Sequence, residues 1–153
     1  MTIIPLNNQQ RLQGYTHRVR ITHADLTEST ADTAQEITLY TAKKGTTVVR
    51  VATFLRTAFR TTTDAAHNST GVAVGDGDLE DRFVAVHQIN DRVAGAAVLA
   101  KGGTGGEYVF TGAGTIKARF HSMAAKNLAA LNQGEIDILL GITEAAELSA
   151  DTR

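Results

Sequence analysis

Apolar and polar residues alternate along most of this chain with a period of two, the pattern of half-buried β-strands. Over 15–22, Tyr15, His17, Val19 and Ile21 share one face, and Thr16, Arg18, Arg20 and Thr22 the other. A second strand is predicted over 36–41, with Ile37 and Leu39 inward. The longest pattern covers 47–60. It places Val49, Val51, Thr53, Leu55, Thr57 and Phe59 on one face, and Arg50, Ala52, Phe54, Arg56, Ala58 and Arg60 on the other. Shorter strands are predicted over 71–74 and 82–89. The segments 107–111 and 115–120 read as a hairpin across Gly112-Ala113-Gly114. The last strand spans 135–142, with Ile136, Ile138, Leu140 and Ile142 inward. Residues 93–99 are apolar and Ala-rich, and their pattern fits strand or coil equally. A helix of one or two turns is predicted within 122–133, with Gly134 placed as its C-cap.

Polar stretches at 24–34 and 61–70, a turn at 43–46 and the flexible KGGTGG of 101–106 separate these runs. The sum is an all-β chain: a jelly-roll-like antiparallel β-sandwich of about eight strands with one short helix. The expected organisation is an extended N-terminal arm over 1–13, a sandwich domain over 14–143 and a polar tail over 144–153. In the arm, Ile3, Ile4 and Leu6 are apolar and Pro5 breaks any helix, so these side chains must find cover on their own domain or on a neighbour.

Composition narrows the chemistry. A chain of 153 residues is long enough for a real core. With no Cys there is no disulfide framework, thiolate metal site or Cys nucleophile. With no Trp and few aromatics, a base-stacking platform or an aromatic sugar site is disfavoured. The net charge of −1 lacks the basic excess of a nucleic-acid domain. No apolar run reaches the roughly 20 residues of a membrane span, and the first ten residues lack the features of a signal peptide.

The densest candidate chemistry is VAVGDGDLEDRFVAV, 72–86. Its Asp76, Asp78, Glu80 and Asp81 begin like a calcium loop, but the sixth and twelfth positions hold Asp81 and His87 instead of Gly and Glu. The simpler expectation is a tight turn, with Gly75 and Gly77 at positive φ and the carboxylates capping backbone N–H groups. His17, His23, His87 and His121 lie on or beside strands without a His-x-His pair, so a cupin-like metal enzyme would require them to converge in space. No Gly-x-Ser-x-Gly elbow is present. KGGTGGE lacks the Gly-Lys-Ser/Thr and following helix of a phosphate loop. Arg50, Arg56 and Arg60 share a strand face with Phe54, and a Phe on a charged face suggests cover by a partner.

Three phrases carry a resemblance. They are QEITLYTAKKGTTVVRVATFLRTAF (35–59), VAVGDGDLEDRFVAV (72–86), and YVFTGAGTIKARF followed by NLAALNQGEIDILLGI (108–142). Together, over roughly 19–143, the chain resembles a group of small tailed-bacteriophage virion proteins with a jelly-roll-like β-sandwich. Leu79-Glu80 departs from the smaller residues usual in that turn, and the arm lies outside the match. The resemblance implies a non-enzymatic virion protein without cofactor, metal or catalytic residue. It implies a decoration or cement protein, made in the host cytoplasm, that binds the major capsid protein on the outer head surface, often as a homotrimer. The interface expected from this reading comprises Ile3, Ile4, Pro5, Leu6, Arg50, Phe54 and Arg56. The alternatives are a head-fibre base, collar or tail component of the same fold, or a calcium- or sugar-binding module using the 76–81 loop.

Overall fold

The computed structural model describes residues 1–90, 94–99, 107–122 and 125–144. Its strands are β1 (Thr2–Ile3), β2 (His17–Thr22), β3 (Gln35–Ala42), β4 (Thr47–Arg60), β5 (Thr70–Gly75), β6 (Val84–Gln88), β7 (Ala97–Leu99), β8 (Tyr108–Val109), β9 (Gly114–Ser122) and β10 (Gln133–Thr143). The first sheet has the order β1-β2-β10-β4-β7, with β8 also on β4; the second has the order β3-β9-β5-β6. All pairings are antiparallel. Setting aside the two-residue β1 and β8, eight strands remain. Counted along the chain they run 1-8-3-6 in one sheet and 2-7-4-5 in the other. That is jelly-roll wiring, two interlocked Greek keys that make an open sandwich.

The inner faces meet in one apolar core. Val19, Ile21, Val51, Leu55, Ile136, Ile138 and Leu140 from the first sheet pack on Val72, Val74, Val84, Ile116 and Phe120 from the second. Phe59 and Phe120 join the layers with ring centroids 5.9 Å apart. The predicted inward faces of the last strand and of most of 47–60 are therefore correct. At the start of β4 the faces exchange: Val48 is in the core and Val49 is half-buried. The cause is a bulge, since Gly141 pairs with Arg50 while Ile142 pairs with Val48.

Three local expectations are overturned. The segment 107–120 is no hairpin, because β8 pairs with β4 in one sheet while β9 pairs with β3 and β5 in the other. The chain there crosses between layers, with the Phe110 ring against Gly114, where a Cβ would lie 2.6 Å from it. Between 122 and 133 the described residues hold only a 3-10 turn, Leu128–Ala130, capped by the Asn127 side chain. One turn suffices to bury Leu128 and Leu131. Gly134 lies in β10 at φ +148, where a Cβ would sit 2.4 Å from the Phe59 ring, so it serves close packing rather than a helix end. The short helix instead lies in the arm: α1 (Asn8–Leu12) begins at a capping box in which Asn7 and Gln10 bond each other's backbone. Residues 1–13 are thus a two-residue strand followed by a helical turn. Residues 91–93, 100–106, 123–124 and 145–153, which include the whole predicted connector and parts of the predicted apolar run, helix and tail, lie outside the described residues.

Candidate interaction surface

The outer face of the first sheet is organised around Asp137. On β10 its neighbours Ile136 and Ile138 face the core, so its own side chain faces out. It is nevertheless wholly buried, because arginines from both flanking strands close over it. Arg18 Nη2 donates to Oδ2 at 2.6 Å, Arg20 Nε to Oδ1 at 2.8 Å and Arg56 Nε to Oδ2 at 2.9 Å. Arg20 also reaches Glu135 at 3.2 Å. Burial alone would push the Asp137 carboxyl up, but hydrogen bonds from Arg20, Arg56 and Arg18 outweigh it and hold the group below the ordinary carboxylate range.

Beside this hub lies a small apolar cluster outside the main core. Tyr15, Ala52 and Leu139 form it, with Leu6 and Phe54 packed against them. Two guanidinium groups stack on its rings: Arg50 lies 5.7 Å from the Tyr15 centroid and Arg56 lies 4.8 Å from that of Phe54. Arg50 Nη1 donates to the Gln13 carbonyl at 2.5 Å. The N-terminal segment is laid over this face. Thr2 and Ile3 pair with Arg20 and Val19, and the Pro5 carbonyl accepts from Arg18 at 3.5 Å. Between α1 and the sheet runs an open groove of about 490 Å³, walled by Gln9 and Gln13 and floored by Arg50, Ala52, Phe54 and Arg56.

The seven predicted interface residues thus fall on one side of the molecule, in two groups. Arg50, Phe54 and Arg56 line the groove. Ile3, Ile4, Pro5 and Leu6 border a second hollow of about 570 Å³ beside Tyr15 and Arg18. The arm finds part of its cover on its own domain. Leu6 packs on the outer cluster and Ile4 is half-buried, whereas Ile3 remains 77% exposed. Sequence reasoning missed Asp137 and Leu12. The signal for Asp137 was an acid at an outward position of EIDILL, in register with Arg20 of β2 and with Phe54 of the arginine-bearing β4. Leu12, at 89%, is the most exposed large apolar side chain among the described residues.

The acidic loop is a self-satisfied turn. Asp76 Oδ1 accepts from the N–H groups of Asp78 and Leu79 at 3.0 and 2.8 Å, and Oδ2 pairs with Arg82. Arg82 in turn stacks 4.4 Å from the Tyr108 centroid. Neither Gly75 nor Gly77 is at positive φ, contrary to expectation. Gly75 is required for a different reason, since a Cβ there would lie 2.0 Å from the Leu79 carbonyl. The turn folds over the small outward residues of β5, and Glu80 reaches Arg119 on β9 at 2.9 Å.

The histidines are scattered. His17 bonds Thr16 and lies edge-on to Tyr40, His87 bonds Thr53, and His121 lies 3.9 Å from Glu80. Among the described residues no three His, Asp or Glu side chains form a group able to hold a metal, and no helix is long and apolar enough to cross a membrane.

No protein-family model and no curated protein matches the chain. Among solved structures, it is similar to a chain of the acid-stable capsid of Helicobacter pylori bacteriophage KHP30. That match has 15% identity and a TM-score of 0.47, and covers 84% of this chain and 94% of that one.

Proposed function

We propose that this chain is a non-enzymatic virion structural protein of a tailed phage, and more specifically a decoration protein that binds the major capsid protein on the outer head surface. Jelly-roll wiring is shared by capsid proteins, lectins and cupins, so the fold narrows the choice without making it. The observation that carries the reading is the N-terminal segment. Scattered exposed apolar side chains are ordinary, but here Met1, Ile3 and Leu12 are exposed within the first twelve residues, and two of them are the most exposed of their kind described. A capped helix and a strand pairing hold that segment in place beside an arginine-rich face. This is a preformed contact surface, which binds without first paying to be ordered. The sequence resemblance to phage virion proteins supports the same reading from independent residues. Multiple copies on a repeating lattice gain avidity without any single tight site, and a homotrimer is the natural unit.

The test is quantitative mass spectrometry of particles assembled from the genome that encodes this chain. A large fixed ratio to the major capsid protein is expected. A few to tens of copies per particle would move the protein to a collar, tail or fibre position. Absence from particles would refute the virion role.

A further inference from the structure

We infer that the groove between α1 and the outer face of β4 binds an extended acidic peptide segment. The floor is a ruler. Arg50, Ala52, Phe54 and Arg56 occupy alternate positions of one strand and line the same groove. At roughly 3.3 Å per residue the two arginines stand about 20 Å apart along it. Small and aromatic apolar surface lies between them. A peptide in extended conformation has the same period of two. It therefore matches this floor when it carries carboxylates at its first and seventh positions and apolar side chains at its third and fifth.

The arginines are prepared for that role. Stacking on Tyr15 and Phe54 fixes both guanidinium planes. Each has five N–H donors. Arg50 commits Nη1 to the Gln13 carbonyl and Arg56 commits Nε to Asp137. Charge points the same way. Among the described residues, Arg18, Arg20, Arg50 and Arg56 meet two carboxylates on this outer surface, Asp137 and Glu135, an excess of two positive charges in a chain whose net charge is −1. The wall contributes the side-chain amides of Gln9 and Gln13, which donate and accept as an extended backbone requires. That the segment belongs to a shell subunit rests on the virion reading; the groove's preference for it does not.

The probe is the blocked heptapeptide Glu-Thr-Val-Thr-Val-Thr-Glu, titrated into the isotope-labelled full chain and followed by NMR. Saturable shifts are expected at residues 7–13 and 50–56. Replacing both Glu by Gln in the peptide weakens binding at least about tenfold, because charge-assisted hydrogen bonds to arginine are lost. Arg50→Glu does the same, Arg50→Gln has a smaller effect, and Lys44→Glu, outside the groove lining, has none. Thermal melts of each variant separate lost binding from lost folding. Absence of shifts, shifts elsewhere, or equal affinity for the Gln peptide would overturn the inference. So would tighter binding of a seven-nucleotide oligothymidylate, which would make the groove a phosphate track. A chain that binds the peptide but is absent from particles keeps the groove and loses the virion role. One found on particles that ignores the peptide loses the groove alone.

Discussion

Asp137 sits where burial and charge oppose one another, and its arginines decide the outcome. Breaking a fully buried ion pair by removing one partner costs about 3–5 kcal/mol. Here the carboxylate is buried but the Arg20 and Arg56 side chains are 27% and 39% exposed, so solvent screens part of the loss. Asp137→Asn is expected to destabilise by about 2–4 kcal/mol at pH 7, read as a fall in unfolding free energy in urea. The pH dependence has a fixed sign. The folded carboxyl titrates below its unfolded value of about 3.9, so its contribution is present above that pH and lost as pH falls through the folded value. The Asn variant must therefore show a shallower acid limb below about pH 4, and an unchanged limb would mean the arginines do not bind the charge. Two glycines of one turn give a second contrast at this scale. Gly75→Ala forces a Cβ to within 2.0 Å of the Leu79 carbonyl and 2.3 Å of the Glu80 carbonyl carbon, whereas Gly77→Ala meets nothing within 4 Å. The first is expected to cost at least about 2 kcal/mol, as overpacking against backbone does. The second stays within about 0.5 kcal/mol of wild type.

The N-terminal segment is where elements and function meet. Its residues contribute nothing to the main core; only Leu6 packs, and on the outer cluster. Deleting 2–10 is therefore expected to leave a folded sandwich that has lost the β1 pairing and the cover over Tyr15. A cost of about 1–2 kcal/mol fits those few contacts, measured by thermal melts. The same deletion should abolish binding to capsids in a co-sedimentation assay. Retained binding with an unchanged oligomeric state would remove the segment from the interface. This element also shows what a sequence can disclose. Alternation placed the long strands and their core faces because a period of two leaves little freedom once one face is buried. It failed where a local device interrupts the period: the bulge opposite Gly141 that exchanges Val48 for Val49, and the layer crossing at Gly112–Gly114 that mimics a hairpin turn. The capping box of Asn7 and Gln10 was legible in principle, but Pro5 drew the reading toward an extended arm. For the interaction surface, Arg50, Phe54 and Arg56 were visible from one strand alone. The hub that orders them was not, because Asp137 meets Arg18, Arg20 and Arg56 only through pairings between strands distant in sequence.

At the scale of the whole molecule, the two sheets are tied together at one end by the loop over 61–69, which carries the chain from β4 in the first to β5 in the second. His67 is buried within it, 2% exposed, and neither ring nitrogen has a hydrogen-bond partner among the described residues. Asn90, just beyond β6, locks the loop by donating to the His67 carbonyl at 3.2 Å and to Thr70 Oγ1 at 3.1 Å. The charged groups that act on the ring are Asp64 and Lys126, which bond one another at 2.6 Å. Burial lowers the affinity of His67 for a proton; Asp64 opposes that shift and Lys126 adds to it. A neutral imidazole tolerates this site, whereas an imidazolium would bring two donors into it without acceptors. The unfolded chain therefore binds the proton more readily. Stability is full above the unfolded value of about 6.5 and declines as pH falls from there toward the lower folded value. The buried carboxylates Asp76 and Asp137, both held below the ordinary range, begin to cost stability only below about pH 4. Acid weakening should thus come in two stages, with the milder stage belonging to the junction between the sheets. His67→Leu, which fills the site without a proton acceptor, is expected to leave the melting temperature at pH 8 unchanged or raised and to flatten its decline between pH 6.5 and 4.5. Identical slopes for the two proteins over that interval would show that His67 does not govern the junction.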